Sequence, residues 1–308
     1  MSTFAGIDGG GTRTTLVLAG EGGRELARRV GPAGLVDPRH PAATADMLAA
    51  LVRDALAEAG LSEPPAALCA GLAGVGNEDE RAEVEAALAA AGVAGRVRVT
   101  TDGAVALEGA LGGGAGVLLI AGTGSVAYAR AEDGRVERCG GWGMVVGDEG
   151  SGWSLGRAGL AAALRAADGR GPRTRLLDLF LQALELDGPS AIPPWAGRVD
   201  KSAVAKLARH VISAAEQGDP VALGVAEREA RELACHALAL ARRLEPWSGA
   251  VPVVFHGGVL SNPFYAGVVE GALEEFEYAF SVRPAVSDAV HGALSFARRL
   301  VEEPEPAA

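Results

Sequence analysis

The 308-residue chain predicts an α/β protein made of two related domains. Two apolar, strand-like runs each end in a glycine-rich turn: Gly6-Ile7-Asp8-Gly9-Gly10-Gly11-Thr12-Arg13-Thr14 and Ile120-Ala121-Gly122-Thr123-Gly124-Ser125. Each turn opens a strand–turn–strand unit, and parallel β-α-β units follow it, so the α/β pattern runs twice along the chain. A strand ending in Gly-x-Gly-Thr leaves backbone N–H groups and hydroxyls uncovered, which suits phosphate oxygens. Two such turns, one preceded by an aspartate, predict a nucleotide triphosphate held in a cleft between the halves.

The first half reads β-β-β-α-β-α-β-α. Phe4–Ile7 and Thr15–Ala19 flank the first turn as a hairpin, and Glu25–Val30 is a third strand. Over Pro41–Ala59 the residues Met47, Leu48, Leu51, Val52, Ala55 and Leu56 share one helical face. Ala67–Gly71 is a short buried strand, Glu78–Ala91 a helix and Val97–Thr101 a strand. A helix over Asp102–Leu111 begins on an acid and ends at Gly112-Gly113-Gly114. The pattern then restarts with a hairpin of Val117–Ala121 and Val126–Arg130, and Asp133-Gly134 is the next reversal. Helices are expected over Trp153–Ala166, Arg173–Leu186, Lys201–Gln217, Pro220–Leu244 and Pro263–Glu275, with strands at Val251–Phe255 and Tyr278–Val282. A terminal helix over Asp288–Val301 precedes a frayed, proline- and acid-rich tail. The expected domains are 1–115, joined by the C-terminal helix 287–303, and a larger 116–286; residues 304–308 form the tail.

A net charge of −11 disfavours nucleic acid or an anionic membrane as the main partner. No apolar stretch reaches bilayer length and the N-terminus lacks signal-peptide character, so the expected location is the cytoplasm. Cys69, Cys139 and Cys235 are widely spaced with no C-x-x-C pair, as expected of reduced thiols. The five histidines show no metal-ligand spacing, and both the G-x-S-x-G elbow and the G-x-x-x-x-G-K-[ST] loop are absent. With Lys201 and Lys206 the only lysines, phosphate neutralisation is expected from Mg²⁺, backbone amides and arginine.

The runs GIDGGGTRTT, TTDGAVAL, IAGTGSVA, CGGWGMVVGDEGSGWSLG and HGGVLSN resemble, in order and over nearly the whole chain, the sugar kinases of the actin/hexokinase/Hsp70 superfamily. They are most similar to the N-acetylglucosamine kinase branch, grouped with the BadF/BadG ATPases; the Cys139–Gly156 block is the most specific piece. The resemblance implies two duplicated actin/ribonuclease H-like domains with an interdomain nucleotide and sugar cleft. It also implies ATP-dependent phosphorylation of a hexosamine or hexose hydroxyl, foremost the 6-OH of N-acetylglucosamine. ATP and Mg²⁺ are the implied cofactors, a small sugar the substrate, and a homodimer the implied assembly.

Residue by residue, Asp8 becomes the metal-side carboxylate, acting through water, since Mg²⁺ keeps several waters and takes one or two protein oxygens. Gly10, Gly11 and Thr12 meet the β- and γ-phosphates, with Gly122, Thr123 and Gly124 as the second phosphate turn. Asp102 is the implied base that takes the sugar hydroxyl proton, a role compatible with an N-cap at the same position. Ser125, Gly141, Trp142, Gly143 and Asp148 line the implied sugar site; the alternative for Trp142 is a plain interdomain core residue. Gly257 and Gly258 form the adenosine turn, and Asn262 caps the next helix or touches the nucleotide. Gly218 matches a position near adenine, or is a helix C-terminal glycine.

Two departures bear on the sugar. Where the family often has an asparagine and a serine, this chain has Gly34 and Ala73. A broad hexokinase, a glucosamine kinase and an N-acetylmuramic acid kinase with more room near Gly34 stay open. An activator ATPase of the BadF type, acting on a partner protein, would need a cluster-binding cysteine pair.

Overall fold

A computed structural model describes residues 2–37, 40–75 and 77–302. The chain divides into two domains, residues 1–114 with 285–308, and residues 115–284. The expected tail over 304–308 and residue 303 lie outside the described residues.

In the first domain β1 (Thr3–Gly9), β2 (Thr14–Gly20), β3 (Glu25–Gly31), β4 (Ala67–Leu72) and β5 (Arg96–Thr101) form one sheet in the order β3-β2-β1-β4-β5. β1, β2 and β3 are antiparallel, while β4 and β5 run parallel to β1. Helices α1 (Pro41–Glu58), α2 (Glu78–Ala90) and α3 (Asp102–Leu111) connect or follow these strands. Every residue of β4 is buried, as a strand covered on both faces requires. The terminal helix Ala289–Glu302 returns to this domain and packs on α3 and β1. The approach is backbone-close: a Cβ on Gly292 would lie 2.0 Å from the Val105 carbonyl, and one on Gly109 2.2 Å from the Asp288 carbonyl.

The second domain repeats the scheme. β6 (Gly116–Ala121), β7 (Ser125–Arg130), β8 (Val136–Gly140), β9 (Val251–His256) and β10 (Phe280–Arg283) are ordered β10-β9-β6-β7-β8, with the first three antiparallel and the last two parallel to β6. Read from the central strand outward, the two sheets have the same order and sense, the ribonuclease H-like arrangement. The duplication is thus visible in topology. Around this sheet lie α4 (Gly152–Ala167), α5 (Leu176–Leu184), α6 (Ile192–Ala196), α7 (Lys201–Ala205), α8 (Ala208–Glu216), α9 (Pro220–Arg243) and α10 (Pro263–Glu274). The helical insertion adds Phe180, Val211, Leu233 and Leu240 to a core shared with the sheet residues Val117, Leu119 and Val253.

Four local expectations are corrected. The strand β8 was not foreseen: it is an edge strand whose residues alternate exposed and half-buried, so it carries little apolar signal. The helix expected over Arg173–Leu186 starts only at Leu176, because Asp219 Oδ2 accepts from the Arg175 N–H (2.7 Å) and the Thr174 hydroxyl (2.9 Å). The helix expected over Lys201–Gln217 breaks at Lys206-Leu207. Its first part rests its backbone on Gly152 and Gly156 of α4, while its second packs on α9. Pro189 and Pro193-Pro194 open a short 3₁₀ turn and α6, in a stretch without an expected element.

Candidate active site

Asp8 stands next to last in β1, flanked in register by Thr15 of β2 and Gly71 of β4. Its carboxyl is pushed up to about 6, first by burial and then by the charges of Asp102 and Asp288, with Arg13 opposing. The Gly10 N–H donates to the Arg13 carbonyl (3.0 Å), which closes the turn; a Cβ on Gly11 would meet nothing within 4 Å. Gly10, Gly11 and Thr12 therefore offer an open backbone ledge beside Asp8.

The chain 31–36 braces this ledge from behind. The Gly34 N–H donates to the Gly10 carbonyl (3.0 Å), and the Ala73 N–H to the Gly9 carbonyl (2.8 Å). A Cβ on Gly34 would come within 2.6 Å of Gly9 Cα and 2.7 Å of Thr14 Oγ1. The expected extra room at Gly34 is therefore absent: the missing side chain is filled by backbone.

Asp102 is the first residue of α3, and here too the structure corrects an expectation. The N-cap is Thr101, whose Oγ1 accepts from the Ala104 N–H (3.1 Å). Asp102 Oδ1 accepts from its neighbour, the Gly103 N–H (2.8 Å). Burial raises the Asp102 carboxyl above the usual carboxylate range, against the Gly103 N–H. The first domain thus holds two partly buried carboxylates, Asp8 and Asp102, that repel each other. A cation would relieve that repulsion. Among the described residues no cluster of three or more His, Cys, Asp or Glu could hold a metal alone. One carboxylate fits a Mg²⁺ ion whose other positions go to waters and phosphate oxygens.

In the second domain the turn after β6 is welded to α4. The Gly122 N–H donates to the Gly124 carbonyl (2.9 Å), the Gly152 N–H to the Gly122 carbonyl (2.8 Å) and the Trp153 N–H to the Thr123 carbonyl (3.2 Å). Ser125 is held at both ends: its N–H donates to Asp148 Oδ1 (3.1 Å) and its hydroxyl to the Glu149 carbonyl (2.7 Å). Asp148 is 3% exposed, adopts a left-handed φ of 64°, and pairs with Lys201 Nζ at 2.5 Å. A side chain at Gly124 would collide with both partners, its Cβ lying 2.4 Å from Asp148 Oδ1 and 2.7 Å from Lys201 Nζ. Asp148 therefore shapes the loop from inside. Trp142, between the left-handed Gly141 and Gly143, is 69% exposed with the Arg138 guanidinium 5.1 Å from its ring centroid.

Gly257 follows β9 with φ 100°, and a Cβ there would lie 2.4 Å from the Ala121 carbonyl. Asn262 caps α10, its Oδ1 accepting from the Tyr265 N–H (3.1 Å). Gly122, Thr123, Gly258 and Asn262 line one cavity of about 530 Å³. Ala208, Ile212 and Val259 give it an apolar wall, and Lys206 and Arg209 stand on it with no carboxylate in the lining. Neither cation was singled out in the sequence, where arginine was expected to help neutralise phosphate but no position was assigned and lysine was set aside as scarce. The helix break at Lys206-Leu207 brings both to the cavity. Gly218 lies elsewhere: it follows α8 with φ 83°, its N–H donating to the Ala215 carbonyl (2.9 Å), beside a separate depression lined by Arg173 and Asp219.

The model of the BadF/BadG/BcrA/BcrD ATPase family matches residues 5–297. An N-acetylmuramic acid/N-acetylglucosamine kinase of Clostridium acetobutylicum is 32% identical over 268 residues, covering 86% of this chain and 88% of the relative. An N-acetyl-D-glucosamine kinase of Dictyostelium discoideum is 30% identical over 63% of this chain and 64% of its own. Among solved structures, a candidate N-acetylglucosamine kinase from Chromobacterium violaceum superposes with a TM-score of 0.75 at 30% identity, covering 96% of this chain and 99% of that one. No helix among the described residues is long and apolar enough to cross a membrane.

Proposed function

This chain belongs to the BadF/BadG/BcrA/BcrD ATPase family, and we propose that it is an ATP-dependent sugar kinase acting on the 6-OH of N-acetylglucosamine. The observation that carries the reading is Asp102. Thr101 does the helix capping, so the Asp102 carboxylate is left for chemistry, its proton affinity raised by burial. In this role it accepts the proton of the sugar hydroxyl while the hydroxyl oxygen bonds to the γ-phosphorus and the bond to the β–γ bridging oxygen breaks, releasing ADP.

The open ledge at Gly11-Thr12 and the turn residues Thr123 and Gly124 supply N–H groups to the phosphates, while the Gly10 and Gly122 N–H groups close their own turns. Lys206 and Arg209 add the charge that the glycine turns lack, and the apolar wall of Ile212 and Val259 suits the nucleoside. Mg²⁺ beside Asp8 would offset phosphate charge. Asp148 and Lys201 hold Ser125 in place for the sugar, with Gly141, Trp142 and Gly143 on the adjoining loop. N-acetylmuramic acid is the second substrate to test, because the Clostridium relative carries both sugars in its name. The reading includes a homodimer acting in the cytoplasm; sedimentation at the monomer mass would overturn the first point.

The test is ADP release with Mg-ATP against N-acetylglucosamine, N-acetylmuramic acid, glucosamine, glucose and mannose. Turnover with N-acetylglucosamine is expected, falling by about 10²–10⁴ in Asp102→Asn while ATP binding persists. Sugar-independent ATP hydrolysis, or an Asp102→Asn variant of undiminished activity, would overturn the reading.

A further inference from the structure

The second domain contains a second built cavity, of about 650 Å³, that shares no lining residue with the one at Thr123. Two helices make it. On α4 it is lined by Arg157, Ala158, Ala161, Ala162 and Arg165, spaced so that they fall on one helical face. On α9 the same spacing recurs in Pro220, Val221, Gly224, Val225 and Arg228. The small residues keep the floor low and the arginines stand at its ends. Residues 170–172, after α4, close one side and bring Arg170.

The charge of this cavity runs against the chain as a whole, which carries −11. Several arginines elsewhere are paired, Arg28 with Glu25, Arg231 with Glu275, Arg242 with Glu277 and Arg243 with Glu137. Around the cavity Arg170 pairs with Asp168 (2.6 Å). Among the described residues, no ion pair engages Arg157, Arg165 or Arg228. The one carboxylate in the lining is Glu229, 7% exposed, whose Oε2 is taken up by the Gly150 N–H (3.2 Å) and the Ser154 hydroxyl. Three guanidiniums without an ion pair, Arg157, Arg165 and Arg228, therefore line the cavity with one inward-turned carboxylate, Arg170 being held by Asp168. Guanidinium forks match phosphate oxygens in pairs.

The space excludes a bare ion as the best fit. Small-molecule sites span about 300–1,000 Å³, and a Cβ on Gly224 would meet nothing within 4 Å, so the floor is open. Glycine is an unfavourable residue inside a helix, yet here it maintains the volume. The geometry points to a binding site for a phosphorylated organic anion of sugar-phosphate or nucleotide size, separate from the donor cavity. The phosphate meets Arg157, Arg165 and Arg228, and the organic body lies on the alanine, proline and valine floor. This site stands independently of the kinase reading.

The test uses the full chain without Mg²⁺ or sugar and follows binding calorimetrically with three probes: N-acetylglucosamine 6-phosphate, AMP and inorganic phosphate. At least one ester is expected to bind at millimolar concentration or better, and which one binds identifies the source. R165Q/R228Q is expected to weaken binding by about tenfold or more. G224L, which fills the floor without altering charge and improves helix propensity, is expected to do the same without lowering the melting temperature. Lys206→Gln/Arg209→Gln, at the donor cavity, is expected to leave this binding in place. Absence of ester binding, or binding unchanged in both R165Q/R228Q and G224L, would overturn the site. Inorganic phosphate binding as tightly as the better ester would overturn the organic-anion assignment.

Discussion

Replacing Asp8 by Asn in the metal-free protein separates stability from function. Burial and the charges of Asp102 and Asp288 raise the Asp8 carboxyl from 3.8 to about 6. At about 1.4 kcal/mol per tenfold change in protonation, keeping this group ionised costs the folded first domain about 3 kcal/mol. Between those two values the folded state binds more protons than the unfolded one. The stabilisation from protonated Asp8 is therefore complete below pH 3.8 and lost as pH rises through 6. Asn has nearly the same shape and never ionises. Asp8→Asn is expected to stabilise the first domain by up to about 3 kcal/mol at pH 8, with the gain fading toward pH 4, while Mg-ATP turnover is lost. All four tryptophans lie in the second domain, so hydrogen exchange of β1 and β4 amides under increasing urea is the appropriate readout. A gain equal at both pH values, or destabilisation at pH 8, would refute the assignment of Asp8 as a carboxylate held against its own solvation.

Three further outcomes are expected. Lys206→Ala raises the KM for ATP by about tenfold with little change in kcat, the scale of one charge-assisted contact; steady-state kinetics at varied ATP check it. Lys201→Met leaves Asp148 buried without its cation and destabilises the second domain by about 3 kcal/mol, measured by urea unfolding with tryptophan fluorescence; Asp148→Asn in the same chain should recover part of it. Gly34→Asn, which restores the residue common in the resembled family, forces a side chain onto Gly9 and Thr14. It should lower stability by about 1–3 kcal/mol without lowering the KM for N-acetylglucosamine, as thermal unfolding and sugar titration would reveal.

Much of the fold was legible because the relevant signals are local. The apolar runs before Gly9 and Gly122, the helical face from Met47 to Leu56 and the breaker Gly112-Gly113-Gly114 each act within a few residues. Among the described residues, nine of the ten strands lie where these signals put them; β8 escaped because an edge strand buries little and needs no apolar alternation. Site residues in the turns were legible for the same reason, since bare backbone after a buried strand is a property of the short segment itself.

What the amino-acid order alone determined is the duplicated α/β plan, the two glycine turns and the carboxylates Asp8 and Asp102. Only tertiary structure decided which groups serve the cavity and which serve the scaffold. Thr101 takes the cap and leaves Asp102 free; Lys201 turns inward to Asp148 while Lys206, five residues on, lines the cavity at Thr123. Gly34 is packed by the backbone of Gly9. The physical reason is that burial, like-charge repulsion and close backbone approach depend on neighbours far apart in the chain, and no local pattern encodes those distances.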